Sequence, residues 1–388
     1  MTNSVILRSI LVVILILTAA AHAQPLFEQS DVFAMGLYDV DTYRIPAVVV
    51  TQKGTVLAFS EARKKSIADQ TPTDMVLRRS FDNGKTWQPM QIILPGKGDE
   101  AIMNPCPLID RQNGKIFLFC SYFPDQNAQY IPGKVRQLYL TSTDDGDTWS
   151  KPLDISEQIS DIKTWATPCS GPAVGIQTTT GRLIVPFYHW EGGTDRNTVN
   201  GIFYSDDHGK TWTAGQNVHG FANEPTVVEL ADGALMLNSR MVGPDADGFH
   251  HRKVSISRDA GLTWSKTYND TTLITSGCQA CILRYTKIAD GFEKNRILFS
   301  HSASRISRIN MTVRLSYDEA NTWQIAKTIN PGGSGYSCLT VMKDGTIGLL
   351  YENGKRVPCE RISFARFNLE WLTDGKDRLE QKPASPEL

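Results

Sequence analysis

Five copies of one octet set the strongest limit on how this chain folds. The pattern Ser-x-Asp-x-Gly-x-Thr-Trp reads SFDNGKTW from Ser80 to Trp87, STDDGDTW from Ser142 to Trp149, SDDHGKTW from Ser205 to Trp212 and SRDAGLTW from Ser257 to Trp264. A fifth copy, SYDEANTW from Ser316 to Trp323, puts Ala320 where the others have glycine. Each follows a strand-like stretch (DMVLRRS, RQLYLTS, NGIFYS, RKVSIS, MTVRLS) and so reads as the turn of a β-hairpin. In such a turn the aspartate accepts hydrogen bonds from turn amides, the glycine relieves backbone strain and the tryptophan plugs the underside. Ala320 is expected to accept a less favourable dihedral or to shift its turn. The aspartates Asp82, Asp144, Asp207, Asp259 and Asp318 follow one another at intervals of 52 to 63 residues.

The rest of the chain keeps the same rhythm. TYRIPAVVV, GTVLAFSE, GKIFLFCSYF, RLIVPFYH, EPTVVEL and ALMLNSRMV are short, rich in β-formers and bounded by glycine or aspartate turns, and no helix-period segment of useful length competes. A repeat of about 50–60 residues carrying about four strands is the signature of a propeller blade. The expected fold is therefore an all-β, six-bladed β-propeller in which the sixth blade lacks an octet and closes the ring with strands from both termini.

Arg8 precedes the uncharged apolar run SILVVILILTAAAHA, which ends in the small-x-small triplet Ala21-His22-Ala23. Residues 1–23 read as a cleaved signal peptide, with a retained membrane anchor as the alternative, and residues 24–388 as one catalytic propeller domain. Secretion or a periplasmic location follows, with no stable membrane insertion after cleavage. A formal net charge of -1 gives no general affinity for nucleic acid, so an anionic substrate has to be caught by a local cluster of arginines. Seven cysteines leave at least one unpaired within a monomer, and Cys278-Gln-Ala-Cys281, without a second such pair, is weak evidence for redox or zinc chemistry. No loop has convincing calcium-ligand spacing, and neither a cofactor nor a metal is expected.

Octets together with Tyr43-Arg44-Ile45-Pro46 and Glu61-Ala62-Arg63 resemble the sialidase family across essentially the whole mature chain. The resemblance implies a retaining exo-α-sialidase that removes terminal sialic acid from sialylated glycoproteins, glycolipids or oligosaccharides. It places Arg44, Arg240 (in LNSR) and Arg308 (in RINMTVRLS) around the sialic acid carboxylate, a role that planar guanidinium groups fill with charge-assisted hydrogen bonds. Arg314 reads instead as part of the strand before its octet. Arg63 is implied near the 4-hydroxyl, with Glu61 as its polar neighbour or as a structural salt bridge. Asp69, in the loop KKSIADQTPTD, is the implied acid/base, with Asp74 as runner-up. Tyr336 in GSGYSCL is the implied nucleophile and Glu224 in NEPTVVEL its base; sialidases are a known tyrosine exception among glycoside hydrolases. Glu352 in GLLYENG is implied to brace Arg44, with Glu360 as a less specific alternative. The stretch from Thr167 to Arg182 resembles a loop near the active rim, and Trp165, Trp190 and Tyr188 face glycan or simply pack. Transfer to a sugar acceptor, release of an anhydro-sialic acid, and a non-catalytic sialic-acid-binding lectin remain the alternatives to hydrolysis.

Overall fold

The computed structural model describes residues 24–191 and 197–380; the expected signal peptide lies outside them. Among the described residues no helix is long and apolar enough to cross a membrane. Helix is confined to short pieces such as Ser156–Ile159 and Leu369–Leu372, and the rest is an antiparallel β-architecture broken by turns.

The strands hydrogen-bond into four sheets. Two of these are double. One couples two up-and-down runs through a single parallel pair, Thr73 with Ala101. The other couples two runs through the long strand Ile325–Val341, whose first half pairs with Ile309–Ser316 and second half with Ile347–Gly354. The chain closes on itself, because Phe27–Ala34 pairs antiparallel with Arg361–Phe367, so the first and last strands share one sheet. This arrangement is a β-propeller, and it leaves few exposed strand edges.

Six strands lead their runs and line the axis: Thr42–Val50, Ala101–Ile109, Trp165–Ser170, Ala222–Glu229, Ala280–Thr286 and the second half of Ile325–Val341. Their middles are apolar and fully buried, with Val48, Cys106, Cys281, Cys338 and Leu339 among the filling side chains. The Val48 amide donates to Cys338 Sγ at 3.3 Å and the Leu339 amide to Cys281 Sγ at 3.4 Å, so the axis is plugged by packed thiols. All seven cysteines are buried and free.

The octets behave as turns in all five copies. In the first, Asp82 accepts from Ser80 Oγ (2.7 Å), from the Thr86 amide (2.9 Å) and from Thr86 Oγ1 (2.6 Å), while the Gly84 amide donates to Ser80 Oγ (2.8 Å). Asp144, Asp207, Asp259 and Asp318 repeat that set. Two successive residues take left-handed backbone, Asn83 (φ 60°) and Gly84 (φ 82°) in the first copy. Ala320 adopts the same conformation at φ 61°, so the fifth turn keeps its shape at the cost of strain.

The tryptophans do more than plug their own hairpins. Trp149 Nε1 donates to Gly146 O beneath its turn (3.3 Å), yet its ring meets Phe59 of the preceding run edge-on. Trp212 packs on Phe117 and Phe119 of the preceding run, and Trp323 Nε1 reaches Asp270 (3.1 Å). Trp87 of the first octet meets Phe364 and donates to Ser30 Oγ (3.2 Å), both in the sheet that holds the two ends. Each octet therefore fastens its run to the one before it, and the first octet fastens the ring closure. The glycine serves this contact too, since a Cβ on Gly84 would stand 2.2 Å from Phe364 Cε1 and one on Gly209 2.4 Å from Phe117 Cζ.

Hydrogen bonds from Thr148 and Thr263, led by their hydroxyls, pull the carboxyls of Asp144 and Asp259 down to about 2 from an ordinary 3.8. A carboxylate whose pKa is lower when folded contributes stability above its ordinary pKa and loses it as pH falls through the folded value. Stability is thus expected to drop between about pH 4 and pH 2. Asp259→Ala should cost about 1 kcal/mol at pH 7 by removing the acceptor that Ser257 and Thr263 share, and urea unfolding should show a shallower acid loss in the variant than in the parent.

Candidate active site

The sheet register explains why one end of the axis is reactive. In five of the six inner strands the pairing slips near the N-terminal end: between Arg44 and Ala47, Met103 and Cys106, Ala166 and Cys169, Asn223 and Thr226, and Ser334 and Ser337. Such bulges re-aim side chains and free backbone amides from the ladder. Ile45 (φ 58°), Asn104 (φ 55°), Thr167 (φ 54°) and Glu224 (φ 40°) sit left-handed at four of them, and each precedes a proline: Pro46, Pro105, Pro168 and Pro225.

Around these bulges lies a cavity of about 530 Å³ whose lining includes Arg44, Arg63, Asp69, Glu224, Arg240, Arg308 and Tyr336. At its floor the phenol of Tyr336 donates a hydrogen bond to Glu224 Oε1. Arg240 Nη1 donates both to Glu224 Oε2 (2.6 Å) and to the Tyr336 hydroxyl (3.0 Å). The Arg44 and Arg308 guanidinium carbons stand 5.4 and 5.2 Å from the Tyr336 ring centroid. Burial, then the Glu224 carboxylate, raises the phenol pKa well above its ordinary value, against the opposing pull of Arg240 and Arg308. The resting phenol is therefore neutral.

Glu352 and Glu61 stand behind the cavity wall, both fully buried. Glu352 Oε1 accepts from Arg44 Nε (2.8 Å) and from the Ile45 amide (2.9 Å), and its Oε2 accepts from the Tyr336 amide (3.0 Å). Burial works to raise the Glu352 carboxyl, and Arg44 with these amides outweighs it, so its pKa is lowered. Glu61 repeats the arrangement. Its Oε2 accepts from Arg63 Nε (3.0 Å) and Nη2 (2.7 Å), and its Oε1 accepts the bulged Asn104 amide (2.8 Å).

Arg63 Nη1 also meets Asp69 Oδ1 at 2.8 Å, and the Asp69 side chain is 65 % exposed at the cavity mouth. Withdrawal from water works to raise the Asp69 carboxyl; Arg63 first, then Arg44, pull it below the ordinary range. Arg308 makes no ion pair with a carboxylate among the described residues, so its charge faces the cavity unneutralised.

Other sequence candidates are placed elsewhere. Asp74 is held by the Gly96 amide (2.8 Å) and Lys64 (2.7 Å), Arg314 donates to His301 (3.0 Å) and Glu360 pairs with Arg356 (2.8 Å), and none of them lines the cavity. Tyr188 and Trp190 line it, whereas Trp165 stacks on His189 at 3.6 Å outside the lining. Of the stretch from Thr167 to Arg182, Thr167 reaches this cavity, while Gly175, Ile176, Gln177 and Thr179 line another at the far ends of the inner strands. That second cavity, about 540 Å³, has its polar groups turned on one another: Arg111 on Gln177 O, Arg284 on Glu319 and Glu229 O, Glu229 on Thr179. Met103, Asn104, Gln129, Asn223, His250 and Ser276 line the first cavity without having been singled out in the sequence. The recurring dipeptides Ile45-Pro46, Asn104-Pro105, Thr167-Pro168 and Glu224-Pro225 were the signal that would have found Asn104 and Asn223.

A family model described as a BNR repeat-like domain matches residues 46–349. A sialidase of Micromonospora viridifaciens is 35% identical over 366 residues, covering 90% of this chain and 55% of the relative. One from Bacteroides fragilis is 33% identical, covering 80% and 60%. The chain thus spans less than two thirds of the length of these two relatives. An exo-alpha-sialidase of Aspergillus fumigatus is 32% identical over 372 residues, covering 86% of each chain. Among solved structures, Hadza microbial sialidase Hz136 superposes with a TM-score of 0.80 at 30% identity, over 89% of this chain and 69% of that one. Trypanosoma rangeli sialidase in complex with the inhibitor DANA shares the fold, with a TM-score of 0.74 at 21% identity over 90% and 61% of the two chains. With its octets, its propeller and a relative matched along most of both lengths, the chain belongs to the sialidase family.

Proposed function

We propose that this family member is a retaining exo-α-sialidase on a six-bladed propeller, hydrolysing terminal sialic acid from sialylated glycans through a sialyl-tyrosine intermediate. One observation carries the reading: a neutral phenol, hydrogen-bonded to a carboxylate, lies beneath three guanidinium groups in one cavity. The six inner strands support the blade count.

Sialic acid carries its carboxylate on the anomeric carbon itself. Arg44, Arg240 and Arg308 seat that carboxylate, with Arg308 supplying a charge that no carboxylate among the described residues meets in an ion pair. A carboxylate nucleophile would approach an already negative centre, whereas a neutral phenol meets less repulsion. As Tyr336 Oη bonds to the anomeric carbon its proton passes to Glu224, which already accepts it at rest. Arg240 Nη1, bonded to both oxygens, steadies the charge as it moves. The glycosidic C–O bond breaks, and the departing oxygen takes a proton from Asp69. In the second half, water attacks the same carbon, Asp69 removes its proton, the bond to Tyr336 breaks and Glu224 returns the proton to the phenolate. Two inversions restore the α-configuration.

Asp69 must be protonated to donate, yet Arg63 and Arg44 hold it ionised in the empty cavity. The substrate carboxylate offsets part of that cationic field and so lifts the Asp69 pKa when the acid is needed. Arg63 reaches the 4-hydroxyl side of the sugar, and Glu61 and Glu352 keep the two guanidinium forks in place.

Tyr336→Phe is expected to lower kcat by at least about a thousandfold while the folded protein still binds an unsaturated sialic acid analogue; near-normal turnover would reject the nucleophile. Asp69→Ala should depress sialyllactose cleavage far more than cleavage of 4-methylumbelliferyl sialoside, whose leaving group needs little protonation, and equal losses would remove the acid role. Glu352→Gln should lower kcat more than it raises KM, because it loosens Arg44 and the Tyr336 backbone together; a change in thermal stability alone, without that split, would make Glu352 merely structural. Proton NMR of the wild-type reaction should show α-sialic acid as the first product. An anhydro sugar, or transfer to added lactose, would replace hydrolysis in this reading.

A further inference from the structure

Arg44 and Arg63 each have a buried carboxylate behind them, whereas behind Arg240 lies a buried cation. Arg252, on the strand His250–Ser257, is fully buried and makes no ion pair with a carboxylate among the described residues. Its guanidinium donates instead to three oxygens: Nε to Asn238 Oδ1 (2.7 Å), Nη2 to Asn238 O (3.0 Å) and Nη1 to Cys278 O (3.1 Å). Its carbon stands 5.8 Å from the centre of the Phe299 ring. Burial pulls the Arg252 pKa down to about 9 from an ordinary 12.5, and Glu224 exerts the strongest opposing attraction. The side chain therefore stays charged at neutral pH. A guanidinium without a counter-ion in the interior is costly, and an apolar side chain of similar volume would fill the space without that cost.

The oxygens that Arg252 holds belong to the two segments beside the nucleophile. Asn238 stands two residues before Arg240 on the strand Leu235–Met241, so their side chains share one face. The register slip here falls in the partner strand, where Asn223 to Thr226 spans three steps against the two from Asn238 to Arg240. The place of Asn238 thus sets that of Arg240, whose Nη1 bonds to both Glu224 and the Tyr336 hydroxyl. Cys278 follows the left-handed Gly277 (φ 66°), and its buried side chain packs with Ile45 and Tyr336 in one cluster. We propose that Arg252 is a positioning residue for the nucleophile: by holding Asn238 and the Cys278 carbonyl it fixes Arg240 at the Tyr336 hydroxyl and Cys278 against the Tyr336 side chain. A planar fork suits the task, since it directs three donors at once to two segments, which the point charge of a lysine on its flexible stem does not. The proposal rests on the sialidase reading, from which Tyr336 and Arg240 take their roles.

The test measures kcat and KM for 4-methylumbelliferyl sialoside, with a thermal melt of each variant. Arg252→Lys, which keeps the charge and loses the fork, should lower kcat about tenfold or more while KM moves less than about threefold, because small displacements of reacting groups are costly and Arg44 and Arg308 still seat the carboxylate. Cys278→Ala should lower kcat by a smaller factor. The double variant should turn over no more slowly than Arg252→Lys alone, since both changes act through one contact. An Arg252→Lys protein that melts lower but keeps the parent kcat and KM would make Arg252 merely structural and overturn the proposal. A double loss equal to the product of the two single losses would overturn it as well. If Arg252→Lys fails to fold, Asn238→Leu carries the test: it removes one of the three bonds, keeps the charge and should lower kcat about fivefold with KM little changed, and an unchanged kcat would overturn the proposal. Failure of the unmodified protein to cleave the sialoside would overturn the sialidase reading instead.

Discussion

Two carboxylates that do not line the cavity hold it together. Glu352 binds one guanidinium and two backbone amides drawn from Arg44, Ile45 and Tyr336, segments almost 300 residues apart in sequence. Glu61 does the same for Arg63 and the amide of Asn104. Each amide comes from an inner strand at its register slip, where it has left the β-ladder, and a carboxylate is the acceptor that satisfies it and an arginine at once. A buried pair of this kind adds little net stability over an apolar replacement, but losing one partner leaves a charge stranded. Its value lies in geometry: Tyr336 and Arg44 share one oxygen-bearing anchor and so cannot drift apart.

The repeated bulge explains how one architecture concentrates varied side chains at one end. The inner strands run in the same sense around the axis, so their first residues gather at one mouth and their last at the other. At the first mouth the slip tilts residues inward, and different positions supply a guanidinium, an amide, a carboxylate and a phenol. At the other mouth the strands end in ordinary register except Ala280–Thr286, which slips between Arg284 and Thr286, and polar groups there satisfy one another. The chemistry follows the irregularity of the strands more than their regularity.

Much of this was readable from residues alone. The octets announced the turns because aspartate, glycine and threonine have local reasons to stand at those offsets, and the strand rhythm between them carried the fold class. Arg44, Asp69, Glu224, Arg240, Arg308 and Tyr336, named through resemblance, do share one cavity. What the sequence hid was non-local. Nothing in the octet says that Trp87 will lie against Phe364, or that the glycine is small to admit a neighbouring run as well as to turn the backbone. Glu61 left two readings open until its second oxygen proved to be spent on an amide in the next run. The Thr167–Arg182 stretch resembled a rim loop of the family, yet of its residues Thr167 lines the first cavity while residues 174–177 and Thr179 line the second. The proline at four of the five bulges was visible but unread, since one such dipeptide means little and only four in equivalent strands mean something.

Closure of the ring by Phe27–Ala34 against Arg361–Phe367 ties the first described strand to one made more than 300 residues later. During synthesis this strand therefore has no partner until Arg361–Phe367 has emerged. Until then two sheet edges and the apolar axis stay open to other chains. Pairing this remote in sequence slows folding through the entropy of loop closure. The same seam, once formed, locks every earlier run in place, so the completed protein should resist proteases far better than any truncated nascent form.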